Sequence, residues 1–392
     1  MKYRKLGEER VSALGFGCMR LPVIDGDQGK IDENEATRML HYAIEQGVNY
    51  VDTAWGYHRG AGEPFVGRAL GGGRRERVYL ATKLPHWLAQ THEDFDKYLN
   101  EQLGRMQTDH FDFYLVHGVG KKSWEKLNGL DITGFLDRAV ADGRIRYAGF
   151  SYHDEGANFR PIVDGYDWTF CQIQYNYMDE KSQAGTEGLE YAASKGLGVV
   201  VMEPLRGGRL TKKVPESVKN LLAESGIKRT QAELALRWVW NHAEVSCVLS
   251  GMSAMDQVVE NCRIADEAVP NSLTAGELEI IEKIRQLYLE RTEIPCTDCG
   301  YCKPCPEGVE IPEIFEIYND LRIYGDENLA HIFYTVFMKP ENRADKCVEC
   351  GQCEEACPQG IGIMEELKKA HEALSGKVRR TAVTETAGDV AE

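Results

Sequence analysis

Between Val11 and about Ala268 the chain alternates short, nearly continuous apolar runs with segments of helical periodicity. The apolar runs cover 13–17, 49–53, 77–82, 111–116, 146–150, 168–175, 198–202 and 245–250. Helical patterns fall between them at 33–45, 93–106, 135–141 and 231–241, the first preceded by Asp32 as an N-cap and ending at Gly47. Strands that are apolar on both faces, alternating with helices, predict a parallel sheet covered on both sides. Eight such units within about 260 residues fit a closed (β/α)₈ barrel better than an open sheet. Residues 2–6 and 11–14, turning around Gly7, predict a hairpin across the barrel floor.

A further helix, 274–289, places Leu278, Ile281, Ile284 and Leu287 on one face, and Thr292-Glu293-Ile294-Pro295 then breaks the pattern. Beyond it stand two cysteine arrays: Cys296, Cys299, Cys302, Cys305, then Cys347, Cys350, Cys353, Cys357. The spacer between them is helical, with one apolar face at Ile311, Ile314, Phe315, Tyr318 and Leu321. A second runs through Leu329, Ile332, Phe333, Val336 and Phe337. Packing of these two faces would fold the arrays against each other. The expected organisation is an α/β TIM barrel over 1–285, a small helical ferredoxin-like domain over 290–375, and a polar, disordered tail over 376–392.

The cysteine spacing carries chemistry. Each array opens with three Cys at every third residue and ends in Cys-Pro, at Cys305-Pro306 and, one residue further on, at Cys357-Pro358. Three thiolates at that pitch wrap one face of a 4Fe–4S cluster, with a fourth arriving from elsewhere. A structural zinc site more often uses two separated Cys-x-x-Cys pairs, and a disulfide framework needs an oxidising compartment. Two 4Fe–4S clusters are therefore the expectation, with paired zinc sites as the alternative. Cys18, Cys171, Cys247 and Cys262 are scattered and read as small core residues.

Composition adds exclusions. With 46 basic and 62 acidic residues the formal net charge is −16, which disfavours nucleic acid or an anionic membrane as the main partner. The N-terminal residues lack the apolar run of a signal peptide, and no stretch has the length of a membrane span. A reducing cytoplasm, in an oxygen-poor niche, is the expected setting.

In such a barrel the C-terminal strand ends carry the catalytic groups. Those ends offer Asp52, Lys83, His117 and Ser151 on four consecutive strands, with Tyr57 just beyond Asp52. The ordered set Asp52-Thr-Ala-Trp-Gly-Tyr57, Gly62-Glu63, Thr82-Lys83, Leu115-Val116-His117 and Gly149-Phe150-Ser151 resembles the aldo-keto reductase family, in the branch with a C-terminal two-cluster domain. The resemblance implies hydride transfer between NAD(H) or NADP(H) and a carbonyl, with a small carbonyl or alcohol as substrate. Tyr57 would be the proton donor, Lys83 would lower its pKa, Asp52 would hold Lys83, and His117 would orient the carbonyl oxygen.

By the same resemblance Ser151 and Gln172 hold the carboxamide, and Met202 lies where an aromatic ring often stacks on the nicotinamide. Pro204, Leu205 and Gly207 border the pyrophosphate. Ser250, Gly251, Ser253, Gln257, Glu260 and Asn261 surround the adenosine end. No Lys or Arg occupies Gly251, Ala254 or Gln257, where the 2′-phosphate of NADP often finds its cation, so NAD(H) is favoured. Resemblance to two-cluster ferredoxins implies a crossed ligand set: Cys296, Cys299, Cys302 and Cys357 for one cluster, Cys347, Cys350, Cys353 and Cys305 for the other. No flavin motif links a two-electron hydride to one-electron clusters. The clusters thus read as an electron relay to a protein partner, a structural staple or a redox sensor. Two rival functions are a lyase or epimerase using bound nicotinamide catalytically, and a redox-sensing docking subunit.

Overall fold

The computed structural model describes residues 1–212, 214–296, 300–357 and 359–376. An antiparallel hairpin, β1 (Tyr3–Leu6) and β2 (Glu9–Ser12), precedes eight barrel strands. These are β3 (Leu14–Gly17), β4 (Tyr50–Asp52), β5 (Tyr79–Leu84), β6 (Phe111–Val119), β7 (Ile145–Tyr152), β8 (Phe170–Gln174), β9 (Gly198–Met202) and β10 (Val245–Ser250). They close in sequence order, β10 pairing with β3, and every ladder is parallel. All eight apolar runs became barrel strands because each is flanked by polar turns and buried on both faces.

The hairpin plugs the barrel's N-terminal end. Leu6 and Val11 are fully buried and join Tyr50, Ala81, Phe113, Leu115, Phe170, Val200, Cys247 and Leu249 in one interior cluster. Gly198 is required beneath this plug, since a Cβ there would stand 2.3 Å from Leu6 Cδ1. The opposite rim, where the strands end, is left open for chemistry. Cys18, Cys171, Cys247 and Cys262 are all buried thiols.

By internal contacts the chain forms two units, 1–211 with 226–282, and 212–225 with 283–392. The short helix Glu216–Ser225, which lies within the sequence of the barrel, thus groups with the cysteine-bearing region. In that second unit helix Ile311–Tyr324 packs Ile311, Ile314, Phe315 and Tyr318 against Ile363, Leu367, Ala370 and Leu374 of helix Ile363–Ser375. The second apolar face behaves differently from its sequence pattern. Val336 and Phe337 are 69% and 70% exposed, and Ile332 and Phe333 are exposed as well. The helix there widens into a π-turn over Phe333–Phe337, which takes these residues off the regular helical face. Helix Ala275–Leu289 likewise buries Ile281, Ile284 and Tyr288 while Leu278 is exposed. Beyond Gly376 the polar tail lies outside the described residues. Among the described residues no helix is long and apolar enough to cross a membrane.

Candidate active site and cysteine cavities

Asp52 ends β4, Lys83 stands near the end of β5 and His117 near the end of β6, so the parallel register brings them to one rim. Lys83 is fully buried, and its Nζ donates to Asp52 Oδ1 and Oδ2 at 2.8 and 2.7 Å. It also donates to the Thr53 carbonyl at 2.8 Å and to Tyr57 Oη at 3.3 Å. The Tyr57 and His117 rings are 6.3 Å apart and nearly perpendicular. Tyr57, Lys83, Asp52 and His117 therefore converge, and their arrangement can supply a proton beside a polarised oxygen.

Electrostatics sharpens this picture. Burial draws the Lys83 pKa down, but Asp52 and Tyr57 raise it by more, so the ammonium stays charged. For Tyr57, burial raises the phenol's pKa, Lys83 lowers it, and Asp52 raises it again. The net direction is upward, contrary to the expectation that Lys83 dominates, because the low-dielectric surroundings penalise the phenolate. His117 is driven well below the usual imidazole range, first by burial and then by Lys83, His153 and His86. It is a neutral ring whose buried Nδ1 has no partner among the described residues.

The loop after β4 is held under tension. His58 and Arg59 adopt left-handed φ values of 53° and 54° directly after Tyr57. The buried His58 ring reaches the carbonyls of Gln28 and Cys18, both at 3.1 Å, which fixes the loop that presents Tyr57.

Along the remaining strands the residues expected around a nicotinamide occupy the same rim. Ser151 Oγ accepts from Gly118 N at 2.7 Å. Gln172 donates to Met202 Sδ at 3.4 Å, leaving its buried Oε1 without a partner. Pro204, Leu205 and Gly207 follow β9. After β10, Asn261 donates to Ser250 Oγ at 3.0 Å, and Gln257 Oε1 accepts from Ser253 N at 2.9 Å. Glu260 is engaged with Thr230 at 2.8 Å, away from the exposed Gly251. The unpaired Gln172 Oε1 and Thr53 Oγ1 are polar atoms that a bound amide or hydroxyl can satisfy.

In the second unit the thiols line two cavities. One, of about 230 Å³, is lined by Cys302, Cys305, Cys347, Cys350 and Cys353. The other is narrower, about 20 Å³, and carries Cys296, Cys302 and Cys357 between Pro312, Phe315, Ile361 and Ile363. Cys299 lies outside the described residues. Among the described residues no three Cys, His, Asp or Glu groups converge as closely as one metal ion requires. A donor set of thiols spread around a cavity suits a polynuclear cluster better than a lone tetrahedral zinc with sulfur ligands at about 2.3 Å. Buried polar residues anchor both arrays. Asn319 accepts from Ile294 N at 2.9 Å and donates to Ile294 O at 2.8 Å, just before Cys296. Tyr334 Oη, which contacts His371, accepts from Ala344 N at 3.0 Å, just before Cys347.

The aldo/keto reductase family profile matches residues 13–285, and that of a 4Fe-4S dicluster domain matches 295–361. The chain belongs to the aldo/keto reductase family. It is an oxidoreductase with a C-terminal 4Fe-4S domain. Among its relatives, L-galactose dehydrogenase of Arabidopsis thaliana is 27% identical over 316 residues, covering 73% of this chain and 96% of its own. The holo form of aldo-keto reductase AKR11C1 from Bacillus halodurans superposes with a TM-score of 0.60 at 31% identity, over 72% of this chain and 96% of its own. A Klebsiella pneumoniae aldo/keto reductase in complex with NADP and acetate gives 0.58 at 26% identity, over 72% and 95%.

In this aldo/keto reductase the motif residues Glu63 and Thr82 join Gln102, Arg105 and Tyr114, which no motif marks, in a buried network behind Lys83. Glu63, wholly buried, accepts from Thr82 Oγ1 at 2.8 Å and from Gln102 Nε2 at 2.5 Å. Gln102 also donates to the Lys83 carbonyl at 3.0 Å and accepts from Tyr114 Oη at 2.7 Å. Arg105 pairs with Glu63 at 3.3 Å and stacks 3.4 Å over the Trp55 ring in the active-site loop. One signal was available: Gln102 shares the buried face of helix Glu93–Met106 with Phe95, Leu99 and Met106. Glu63→Ala removes the acceptor of the Thr82 hydroxyl and one of the acceptors of the Gln102 amide, which keeps the Lys83 carbonyl, and each buried donor proton left unpaired costs roughly 1–3 kcal/mol. A loss of about 3 kcal/mol in barrel stability is expected, smaller in Glu63→Gln. All six tryptophans precede residue 241, so their fluorescence during urea unfolding follows the barrel alone.

Proposed function

We propose that this chain is a nicotinamide-dependent oxidoreductase that interconverts a small aldehyde, ketone or sugar carbonyl with its alcohol, and that it carries two 4Fe–4S clusters. The observation that carries the reading is the buried Asp52–Lys83–Tyr57 chain beside a neutral His117. A nicotinamide bound at the rim would supply or accept the hydride at the carbonyl carbon. Tyr57 donates its phenolic proton to the carbonyl oxygen as negative charge develops there, and Lys83 stabilises the phenolate left behind. His117, neutral, donates a hydrogen bond to the same oxygen and sets its approach. Gln172, with its unpaired Oε1, and Ser151 would hold the carboxamide. The Klebsiella pneumoniae relative is in complex with NADP. In this chain the lack of a basic residue at Gly251, Ala254 and Gln257 still favours NAD(H), because a desolvated phosphate without a cation is costly. Cys305, Cys347, Cys350 and Cys353 would hold one cluster, and Cys296, Cys299, Cys302 and Cys357 the other. They would serve as one-electron carriers toward a protein partner.

An anaerobic screen of carbonyls and sugars with NADH and NADPH tests this. Stoichiometric nicotinamide oxidation is expected. Substrate conversion without net nicotinamide turnover would show an internal-redox lyase or epimerase instead, and binding without conversion a sensor. The pH profile provides a second check. Reduction requires the protonated phenol, whose pKa lies above its ordinary value, and His117 is already neutral. Reductive kcat/KM should stay flat from about pH 6 to 9 and fall only above about pH 10, the ordinary phenol value. A decline through pH 7–8 would show that the essential acid is not this phenol.

A further inference from the structure

His153 is the first residue past β7, and Gln183 stands in the loop that follows β8, its neighbour in the barrel. Gly156 lets these two loops close on each other, since a Cβ there would stand 2.6 Å from the Gln183 carbonyl oxygen. Gln183 itself has a φ of 53°, a left-handed conformation that a residue with a side chain rarely adopts. Such a conformation persists only where surrounding contacts hold it, and here they also dictate which way the amide points. Asp179, paired with Arg206 Nε at 3.2 Å, accepts from Gln174 Nε2 at 2.9 Å. That turns Gln174 Oε1 toward Gln183, whose Nε2 donates to it at 2.8 Å. Gln183 Oε1 must then face the other way, and it is buried with no hydrogen-bond partner among the described residues.

Beside that oxygen lies His153, whose imidazole pKa is lowered by burial, raised by Gln183 and lowered again by Lys83. His153 in turn helps to drive down the His117 pKa, so it adjoins the corner where the carbonyl oxygen would sit. The ring is exposed although burial shifts its pKa, the combination expected of a neutral group lining a deep, open cleft.

The simpler role for Gln183 is to tie down its own loop. Its Nε2 does that through Gln174, but Oε1 adds nothing to the tie, and a buried acceptor is costly until a donor reaches it. A hydrocarbon or a second carbonyl offers no proton. An ammonium would meet the positive charge of Lys83, which His153 and His117 both feel. A neutral hydroxyl fits, because it can donate to Gln183 Oε1 while accepting from the His153 ring.

We propose, resting on the carbonyl reading above, that His153 and Gln183 form a hydroxyl-binding subsite beside the catalytic corner. The preferred substrate is then a carbonyl compound hydroxylated near its reacting carbon.

Steady-state kinetics of the full-length, cluster-loaded protein under anaerobic conditions test this with glyceraldehyde and propanal, three-carbon aldehydes that differ only in their hydroxyls. The unsubstituted protein should favour glyceraldehyde in kcat/KM by about 10- to 100-fold, as expected of a site whose buried acceptor the wrong substrate leaves unpaired. Gln183→Met and His153→Phe should each cut that ratio by about tenfold, chiefly by raising KM for glyceraldehyde, the second while leaving the Gln174 contact in place. His153→Gln, which keeps a donor and an acceptor, should recover part of the loss, and unchanged urea midpoints would show that the barrel is intact. Equal kcat/KM for the two aldehydes in the unsubstituted protein overturns the proposal, as does a ratio that neither substitution moves. Absence of turnover of both aldehydes with either nicotinamide would instead overturn the carbonyl reading itself.

Discussion

Tyr57→Phe is expected to lower carbonyl reduction by roughly 10²- to 10⁴-fold, the usual contribution of a positioned general acid. Only the hydroxyl is removed, and Lys83 keeps its three other contacts, to both Asp52 oxygens and the Thr53 carbonyl. Nicotinamide affinity should therefore hardly change, so single-turnover kinetics would show the chemical step slowed with binding intact. Lys83→Met should act on the same step by a second route. It removes the one group that lowers the Tyr57 pKa and leaves Asp52 buried without its partner, so it should also destabilise the barrel, by about 3–5 kcal/mol. Turnover in Tyr57→Phe close to that of the unsubstituted chain would remove the phenol from the mechanism.

Cys357→Ser should damage the cluster built mainly by the first array, and Cys305→Ser the cluster built mainly by the second. The cavities motivate this crossing: Cys357 shares one with Cys296 and Cys302, whereas Cys305 shares the other with Cys347, Cys350 and Cys353, Cys302 lining both. Each variant should lose about four irons per chain under anaerobic analysis, if a cubane missing one thiolate does not survive purification. Paramagnetic resonance would show which signal disappears. If each serine variant instead loses the signal of its own array, the pairing is uncrossed.

Much of the barrel was legible because strand periodicity and burial agree. Each run, such as 111–116 or 245–250, is apolar on both faces and bounded by polar turns, so only a covered parallel sheet satisfies it. The rim was legible for a related reason: Asp52, Lys83 and His117 are polar groups at the ends of apolar strands. What stayed hidden depends on neighbours distant in sequence. Glu63 stands in the motif that carries the resemblance, but its partner Gln102 lies 39 residues away and only the fold buries the two together. His58 looks like an ordinary loop residue until its ring spans two carbonyls. The upward shift of Tyr57 is a contest between desolvation and Lys83, and a sequence contains only the second contestant. Phe333 and Phe337 followed helical spacing, but a π-turn altered the period and left them exposed.

The grouping of 212–225 with the cysteine-bearing unit bears on how this protein can be taken apart. A ferredoxin module joined end to end could be removed by stopping the chain near 285, and a functional barrel should remain. Here the polypeptide enters the second unit, returns to complete β10, and leaves again. Truncation at 285 would orphan a helix in the middle of the remaining chain, while the excised piece would lack one of its own parts. The two halves are threaded through each other in sequence, so insertion into the barrel's loop and extension of its C-terminus must be compatible with one another in any working variant.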